Sequence, residues 1–202
     1  MTPLPGTLRC GMNKLAHGLA GLLFFSSWGA GEAPPALATE ATLPAPPDAQ
    51  QRRYLGLPAH ATHFALADLK AEWVVVDVFD MYCHVCQQSA PALRRLHDAL
   101  QQTDMAERVR FLGVGLGNSP LETSAFARRF KLPFPVVPDR SKQLRKAFPR
   151  IRAGTLIIFH RTDNTCRIFE RHQGLLRKKE ADKLAQKIIA ATRKAAADSP
   201  RS

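Results

Sequence analysis

Two cysteines in this sequence, Cys83 and Cys86, have the spacing Cys-x-x-Cys. A thiolate is a nucleophile, and two thiols at this spacing can close a reversible disulfide with each other. The pair lies between a strand pattern and a helix pattern, where unpaired N–H groups and the helix dipole stabilise a thiolate. We therefore predict that Cys83 is the exposed nucleophile and that Cys86, one turn inside the helix, is the buried partner that resolves a mixed disulfide.

The elements around the pair alternate between strand and helix. An apolar run rich in β-branched residues, 73–79, predicts a buried central strand, and a helical stripe of apolar residues follows over 85–101. Further strands are predicted at 109–114, 134–137, 155–159 and 166–171, with helices at 120–130, from Asp139 over 144–147, and at 178–194. Alternating strands and helices followed by a hairpin predict an α/β fold with a mixed sheet between helices.

The segment from Asp77 to Cys86 resembles the active-site segment of the thioredoxin superfamily. Tyr82 stands directly before the first cysteine, where thioredoxin has a tryptophan, and Asp77 has the register of thioredoxin's buried aspartate. Pro91 lies where the family kinks its first helix, and the insertion between the two halves resembles the exported TlpA-like and redoxin-like branches. The resemblance implies a thioredoxin-like fold, with a central mixed β-sheet flanked by helices and an αβ insertion.

The resemblance also implies an activity, that of a thiol-disulfide oxidoreductase which exchanges electrons with protein cysteines. In that scheme Cys83 attacks, Cys86 resolves, and Asp77 takes or returns the Cys86 proton. A carboxyl group in an apolar strand has a raised pKa, which suits it to this exchange. The TlpA-like branch favours the direction of a reductase. His84 has two open interpretations: it could donate to the Cys83 thiolate, or it could point to solvent.

The sequence departs from the family at the turn that faces the active site. The family normally carries a cis-proline there, in a Pro-Thr pair, whereas this chain has Ala153-Gly154-Thr155. Since a non-proline cis peptide costs roughly 2.5–4 kcal/mol, we expect a trans peptide, with glycine leaving the loop free to approach the site. The residue before the proline presents its backbone to the bound substrate strand. The predicted substrate-binding residues are therefore Ala153 and Gly154, together with Tyr82 and His84.

The first 38 residues have the pattern of a signal peptide. Lys14 supplies a positive charge, residues 15–28 a short apolar stretch, and Ala36-Leu37-Ala38 a cleavage signal. Met12 opens a more conventional leader than Met1. We predict a Pro-rich linker over 39–61, a thioredoxin-like domain over 62–196 and a disordered tail over 197–202. The protein would then be periplasmic or otherwise exported, with an uncleaved N-terminal membrane anchor as the alternative.

The composition of the chain limits the classes of partner that we expect. The net charge of +12 is spread along the chain without an aromatic-studded basic segment, so we expect no nucleic acid. Four cysteines in 202 residues are too few for a disulfide scaffold. The expected partners are cysteine-containing exported proteins and a membrane or soluble thiol that donates electrons. We expect no cofactor and no metal.

Two other functions stay open at this stage. A binding or scaffold protein that never turns over would be consistent with the glycine at position 154. A metal site would need ligands beyond the cysteine pair, and the nearest candidates, His160 and Cys166, have no common zinc spacing. Cys166 is otherwise expected to be a small apolar residue. A peroxidase of the peroxiredoxin kind is disfavoured, because Phe79-Asp80-Met81-Tyr82 replaces the proline and the Thr or Ser that such enzymes place before their cysteine.

Overall fold

The structure is a computed structural model that describes residues 7–8, 41–162 and 166–198. Its strands are β1 (Thr7–Leu8), β2 (Thr42–Pro44), β3 (His63–Ala65), β4 (Trp73–Phe79), β5 (Val109–Leu116), β6 (Val136–Asp139), β7 (Thr155–Arg161) and β8 (Cys166–Gln173). Its helices are α1 (Ala49–Tyr54), α2 (His84–Gln101), α3 (Pro120–Phe130), α4 (Leu144–Ala147) and α5 (Lys178–Asp198), and Leu66–Asp68 forms a 3-10 turn.

A mixed sheet in the order β1-β8-β7-β4-β5-β6 forms the centre of the molecule. Strand β4 is parallel to β5 and antiparallel to β7, and β5 is parallel to β6. The predicted α/β thioredoxin-like fold is confirmed, including the insertion of α3 and β6 between its two halves. Because β4 is central, its carboxyl end delivers the following loop and α2 to the middle of one sheet edge.

The sheet is covered on both faces, as the near-continuous apolar pattern of β4 predicts. On one face, Val75 and Ile158 pack in a cluster with Leu96 of α2 and Ile188 of α5. On the other face, Val76 belongs to a cluster completed by these buried residues from outside the central strands: Leu43, Leu55, Leu57 and Leu144. Alternate residues of each strand thus serve opposite layers.

The prediction of a linker over 39–61 is wrong for residues 41–61. Strand β2 pairs with β3, and α1 begins at Asp48, whose carboxylate accepts the N–H of Gln51 at 2.8 Å. Leu43 and Leu55 are fully buried on the sheet. The segment has few large apolar residues, but Leu43, Leu55 and Leu57 are buried, so it is part of the folded unit despite its prolines.

The predicted signal peptide lies outside the described residues, apart from Thr7 and Leu8. These two residues form β1, which pairs with Arg167 and Cys166 at the edge of the sheet. Helix α5 continues to Asp198, so residues 197 and 198 of the predicted tail are helical, and residues 199–202 lie outside the described part. Among the helices described, none is both long and apolar enough to span a bilayer.

Candidate active site

Cys83 is the N-cap residue of α2. Its backbone is extended (φ −74°, ψ 112°), and its Sγ accepts the backbone N–H of Cys86 at 3.3 Å. The Cys83 side chain therefore faces the first-turn N–H groups of the helix, whose partial positive charge stabilises a thiolate. Cys83 is half-buried, whereas Cys86 is only 5% exposed, and both are free thiols. This is the geometry expected of an accessible nucleophile with a protected second thiol.

Cys86 lies in an apolar setting below the helix start. It packs in a small cluster with Phe79 of β4 and Phe126 of α3, whose rings stack with centroids 4.1 Å apart. Desolvation raises the pKa of the Cys86 thiol well above its usual range, and the hydrogen bond with Cys83 adds to this. Negative charge on Cys83 or Asp77 raises the pKa further, while a backbone hydrogen bond at Asp80 opposes it. Cys86 is therefore protonated in the resting dithiol.

Asp77 lies on β4, six residues before Cys83. Desolvation within the sheet raises the pKa of its carboxyl group to about 7. The Asp77 charge acts on the Cys86 thiol, so the two groups are electrostatic neighbours. Asp77 is thus a group near Cys86 that can gain or lose a proton close to neutral pH.

The loop before Cys83 is held by a residue that the sequence did not predict to be functional, Asn118. Its Oδ1 accepts the N–H of Met81 at 2.9 Å, and its Nδ2 donates to the Asp80 carboxylate at 3.1 Å. Asn118 is 3% exposed, and from the other side Gln87 donates to the Met81 carbonyl at 2.8 Å. The sequence did offer one signal for this contact, a polar residue shortly after β5. The carboxyl ends of the parallel strands β4 and β5 meet at the same edge of the sheet, so a side chain there can reach the cysteine loop.

Tyr82 extends into solvent beside the cysteine pair and is 72% exposed. Its hydroxyl donates to Glu122 Oε1 at 2.9 Å, while Glu122 Oε2 accepts the N–H of Ser119 in a capping box at the start of α3. Bonds from Ser119 and Tyr82 lower the pKa of Glu122. Leu121, which directly precedes Glu122 in the sequence, is also exposed.

The turn at Ala153 and Gly154 faces the cysteines from across the site. Gly154 has φ +79°, and a Cβ atom there would lie 3.9 Å from Cys86 Sγ and 3.4 Å from Val85 Cγ1. Its N–H donates to the Val78 carbonyl at 2.8 Å, and its own carbonyl accepts the Gly174 N–H at 2.8 Å. The described peptide bonds are all trans. A left-handed glycine thus brings this turn against the buried thiol.

Ala153, directly before Gly154, is half-buried and packs beside Cys83 and Cys86. Within the described residues its backbone N–H and carbonyl form no hydrogen bond. They are therefore available to an extended chain lying across the site, in the manner of an added strand.

The structure brings the predicted site residues together, and it also bears on the two interpretations of His84. His84 is exposed at the first position of α2, and no hydrogen bond to Cys83 is formed by its ring in the described chain. Its placement fits the interpretation that it faces solvent rather than the thiolate.

A metal site using His160 and Cys166 is incompatible with the sheet. His160 stacks on Trp73, with ring centroids 4.1 Å apart, on the face covered by α2 and α5. Cys166 pairs with Arg161 and packs against the cluster on the opposite face. The described residues contain no group of three potential metal ligands.

Comparison with known proteins agrees with the fold. Solved structures with this fold include StoA from Bacillus subtilis (18% identity, TM-score 0.51, covering 74% of this chain and 97% of that one). Another is a secreted Mycobacterium tuberculosis disulfide oxidoreductase homologous to E. coli DsbE (16% identity, TM-score 0.54, covering 77% and 99%). These likenesses show that the chain has a thioredoxin-like fold.

The family assignment is equally direct. The AhpC/TSA family model matches residues 45–165, and this chain belongs to that family. A curated relative is the thiol-disulfide oxidoreductase ResA of Geobacillus thermodenitrificans, 30% identical over 83 residues. That match covers 41% of this chain and 45% of ResA, so the chain spans about half the length of this relative.

Proposed function

We propose that this protein is an exported thiol-disulfide oxidoreductase that reduces disulfides in other proteins through Cys83 and Cys86. The observation that carries the proposal is the position of Cys83 Sγ at the N-terminus of α2, bonded to the N–H of a buried Cys86. The matched relatives support it, because ResA and the mycobacterial protein are both named as oxidoreductases of this kind.

The reaction proceeds in two exchanges. The Cys83 thiolate attacks one sulfur of the partner's disulfide, which forms a mixed disulfide and releases the partner's other sulfur as a thiolate. The Cys86 thiolate then attacks Cys83 Sγ, which closes the Cys83–Cys86 disulfide and releases the second partner thiolate. Two electrons pass to the partner, whose thiolates take up protons, and a thiol donor later returns the protein to its dithiol form.

Asp77 serves the second exchange. Cys86 must lose its proton before it can attack, although its surroundings raise its pKa. The Asp77 carboxyl group, with a pKa of about 7, accepts that proton when the thiol is needed and returns it when the dithiol is restored. Burial thus keeps Cys86 from reacting with solvent oxidants and leaves its activation to one neighbouring carboxylate.

Substrate binding would use the backbone of Ala153 and the surface beside Tyr82. An extended cysteine-containing segment can pair with the free N–H and carbonyl of Ala153 while its sulfur meets Cys83. Gly154 keeps this edge against Cys86 Sγ, and the exposed side chains of Tyr82 and His84 would contact flanking residues of the partner.

The direction of a reductase is supported by the lack of an added donor to Cys83. Oxidants of this class are strong because their reduced form is stabilised. The exposed ring of His84 adds no hydrogen bond to Cys83 among the described residues.

Trapping of the first intermediate tests the activity. The Cys86→Ser variant is expected to accumulate a covalent mixed disulfide on Cys83 when it is mixed in reduced form with a peptide disulfide, as detected by intact mass. Cys83→Ser is expected to form this adduct much more slowly or not at all. Cys166→Ser is the matched control and should exchange disulfides as the wild type does. Adduct formation that is equally fast without Cys83 would contradict the proposal, as would peroxide consumption exceeding disulfide exchange.

Export is supported by the N-terminal pattern and by a relative described as secreted. Cleavage after Ala38 would leave a mature chain that starts at Thr39, two residues before the buried Ala41. Mass spectrometry of the protein from a bacterial host should give that N-terminus in the periplasmic fraction. A full-length chain found in the cytoplasm would contradict export.

A further inference from the structure

One stretch of the surface concentrates positive charge next to the cysteine pair. Residues 140–162 contain no Asp or Glu, and the preceding Asp139 is buried, its carboxylate accepting the N–H groups of Gln143 and Leu144. The cations of residues 140–152, which we call the cationic rim, are all exposed: Arg140, Lys142, Arg145, Lys146, Arg150 and Arg152.

The rim begins and ends at the active site. At its start, Arg140 lies close enough to Glu122 to lower the pKa of that carboxylate, and Glu122 is bonded to Tyr82. Lys142 lies against Gly117, where a Cβ atom would come within 2.9 Å of Lys142 Cε.

At the other end of the rim, Arg152 directly precedes Ala153 and Gly154, the turn that contacts Cys86 Sγ. The two ends of the rim therefore lie near the cysteine pair.

Several cations elsewhere on the described surface form ion pairs, for example Arg108 with Glu72 at 2.6 Å and Lys187 with Glu170 at 2.7 Å. No ion pair is formed by a rim residue within the described chain. Arg140 acts on Glu122, whereas the other five rim cations form no ion pair among the described residues. The rim therefore carries a net positive charge, which raises the local concentration of anions.

We propose that the cationic rim selects acidic polypeptide partners, that is, proteins whose reactive disulfide is flanked by Asp or Glu. This inference rests on the proposed function and names the class of partner for it. A polypeptide is favoured over an anionic lipid surface because the rim leads into the unpaired backbone of Ala153, which recognises an extended chain. Acidic flanking residues would meet Arg140 and Lys142 on one side of Cys83 and Arg152 on the other.

The test compares three synthetic peptide disulfides of one length whose cysteine is flanked by acidic, neutral or basic residues. The rate constant for mixed-disulfide formation with the reduced Cys86→Ser protein is measured at low ionic strength by quenched-flow mass spectrometry. The acidic peptide is expected to react about tenfold faster than the neutral one, and the basic peptide more slowly than either. The ratios of these rate constants should approach one at about 0.5 M salt, where charges are screened within several ångströms.

Matched variants in the same Cys86→Ser background locate the effect. Arg140→Gln, Lys142→Gln and Arg152→Gln together should reduce the preference for the acidic peptide at least about threefold. The control removes the same charge from exposed positions of α5, as Lys183→Gln, Arg193→Gln and Lys194→Gln, and should keep the preference. Equal loss in both triple variants would mean that net charge alone is responsible, and would overturn the proposal.

Failure of this inference is distinguishable from failure of the proposed function. A small neutral disulfide, bis(2-hydroxyethyl) disulfide, reports thiol exchange without charge. If it reacts at Cys83 while the three peptides react equally, the acidic-partner inference is wrong and the oxidoreductase function stands. If no disulfide reacts, both fail. Rim-dependent binding to vesicles of phosphatidylglycerol, with equal peptide rates, would assign the rim to lipid and overturn the inference.

Discussion

Asp77 illustrates how the surroundings of a single residue set its pKa. A carboxyl group in water ionises near pH 4, but on β4 desolvation raises the pKa of Asp77 to about 7. The spacing from Cys83 indicated its position, since both residues belong to one short segment. The apolar strand indicated the direction of the pKa shift.

The raised pKa predicts how stability depends on pH. Between about pH 4 and 7 the folded protein holds a proton on Asp77 that the unfolded chain has lost, so the free energy of unfolding falls as pH rises through that window. Asp77→Asn should remove this fall and stabilise the reduced protein at pH 8 by on the order of 2–4 kcal/mol. Urea unfolding at pH 4 and pH 8 measures it, and an unchanged pH dependence in the variant would contradict the assignment.

The same variant should slow the second exchange. Without Asp77 the Cys86 proton has no nearby acceptor, so release of the partner from the mixed disulfide should slow at least about tenfold at pH 7. Attack by Cys83 should stay unchanged. Stopped-flow separation of the two phases measures this, and an equal slowing of both would point to a structural role instead.

Gly154 is a residue whose conformation only the structure could give. Its φ of +79° disfavours any side chain, and its nearest neighbours are Val85 and Cys86. Gly154→Ala should cost about 1–2 kcal/mol of stability and also alter the reaction rate of Cys86. Gly56→Ala is the control, because Gly56 has φ +70° with nothing within 4 Å of a Cβ atom. It should carry a similar stability cost and leave thiol kinetics unchanged; identical kinetic effects would contradict the contact.

At the scale of elements, the site depends on contacts between segments far apart in sequence. The loop before Cys83 is bonded to Asn118, 37 residues from Met81, at the junction of β5 and α3. Sequence patterns located both elements but not this contact, because hydrogen-bond partners across a sheet edge depend on register. The capping box of Ser119 and Glu122 was visible locally, while the bond from Tyr82 to Glu122 was not.

Removing the Asn118 side chain should loosen the cysteine loop. Asn118→Ala leaves the Met81 N–H and the Asp80 carboxylate without this partner, which should cost about 1–3 kcal/mol. Thermal unfolding and the exchange rate of the Met81 amide hydrogen measure it. Tyr82→Phe is the matched control, since it removes a hydrogen bond in the solvent-exposed pair and should leave the unfolding midpoint unchanged. Equal midpoints for both variants would contradict the role of Asn118.

The prediction of elements was wrong where a Pro-rich composition was interpreted as a linker. Residues 41–61 contain several prolines, yet β2, α1 and their buried leucines complete one face of the sheet. Isolated leucines between polar residues show no helical or alternating period, so no pattern marked them as core. Their burial depends on a partner surface that only the folded sheet provides.

For the whole molecule, the order of strands and helices was enough to predict the fold. Alternation of the elements and the central β4 define a thioredoxin-like sheet, and the structure and its relatives agree. The distribution of charge was less accessible, because a net charge of +12 says nothing about where the cations are left unpaired. The fold decides this by placing the two ends of residues 140–152 near the site.

The proposed redox function is tested most directly by a redox titration of the wild-type Cys83–Cys86 pair against dithiothreitol and glutathione, with thiol trapping and intact mass. One reversible two-electron transition confined to Cys83 and Cys86 is expected, at a reducing potential near that of thioredoxin, about −270 mV. A transition near about −120 mV would reverse the proposed direction of electron flow. The absence of any reversible disulfide between these two cysteines would contradict the proposed thiol-disulfide exchange.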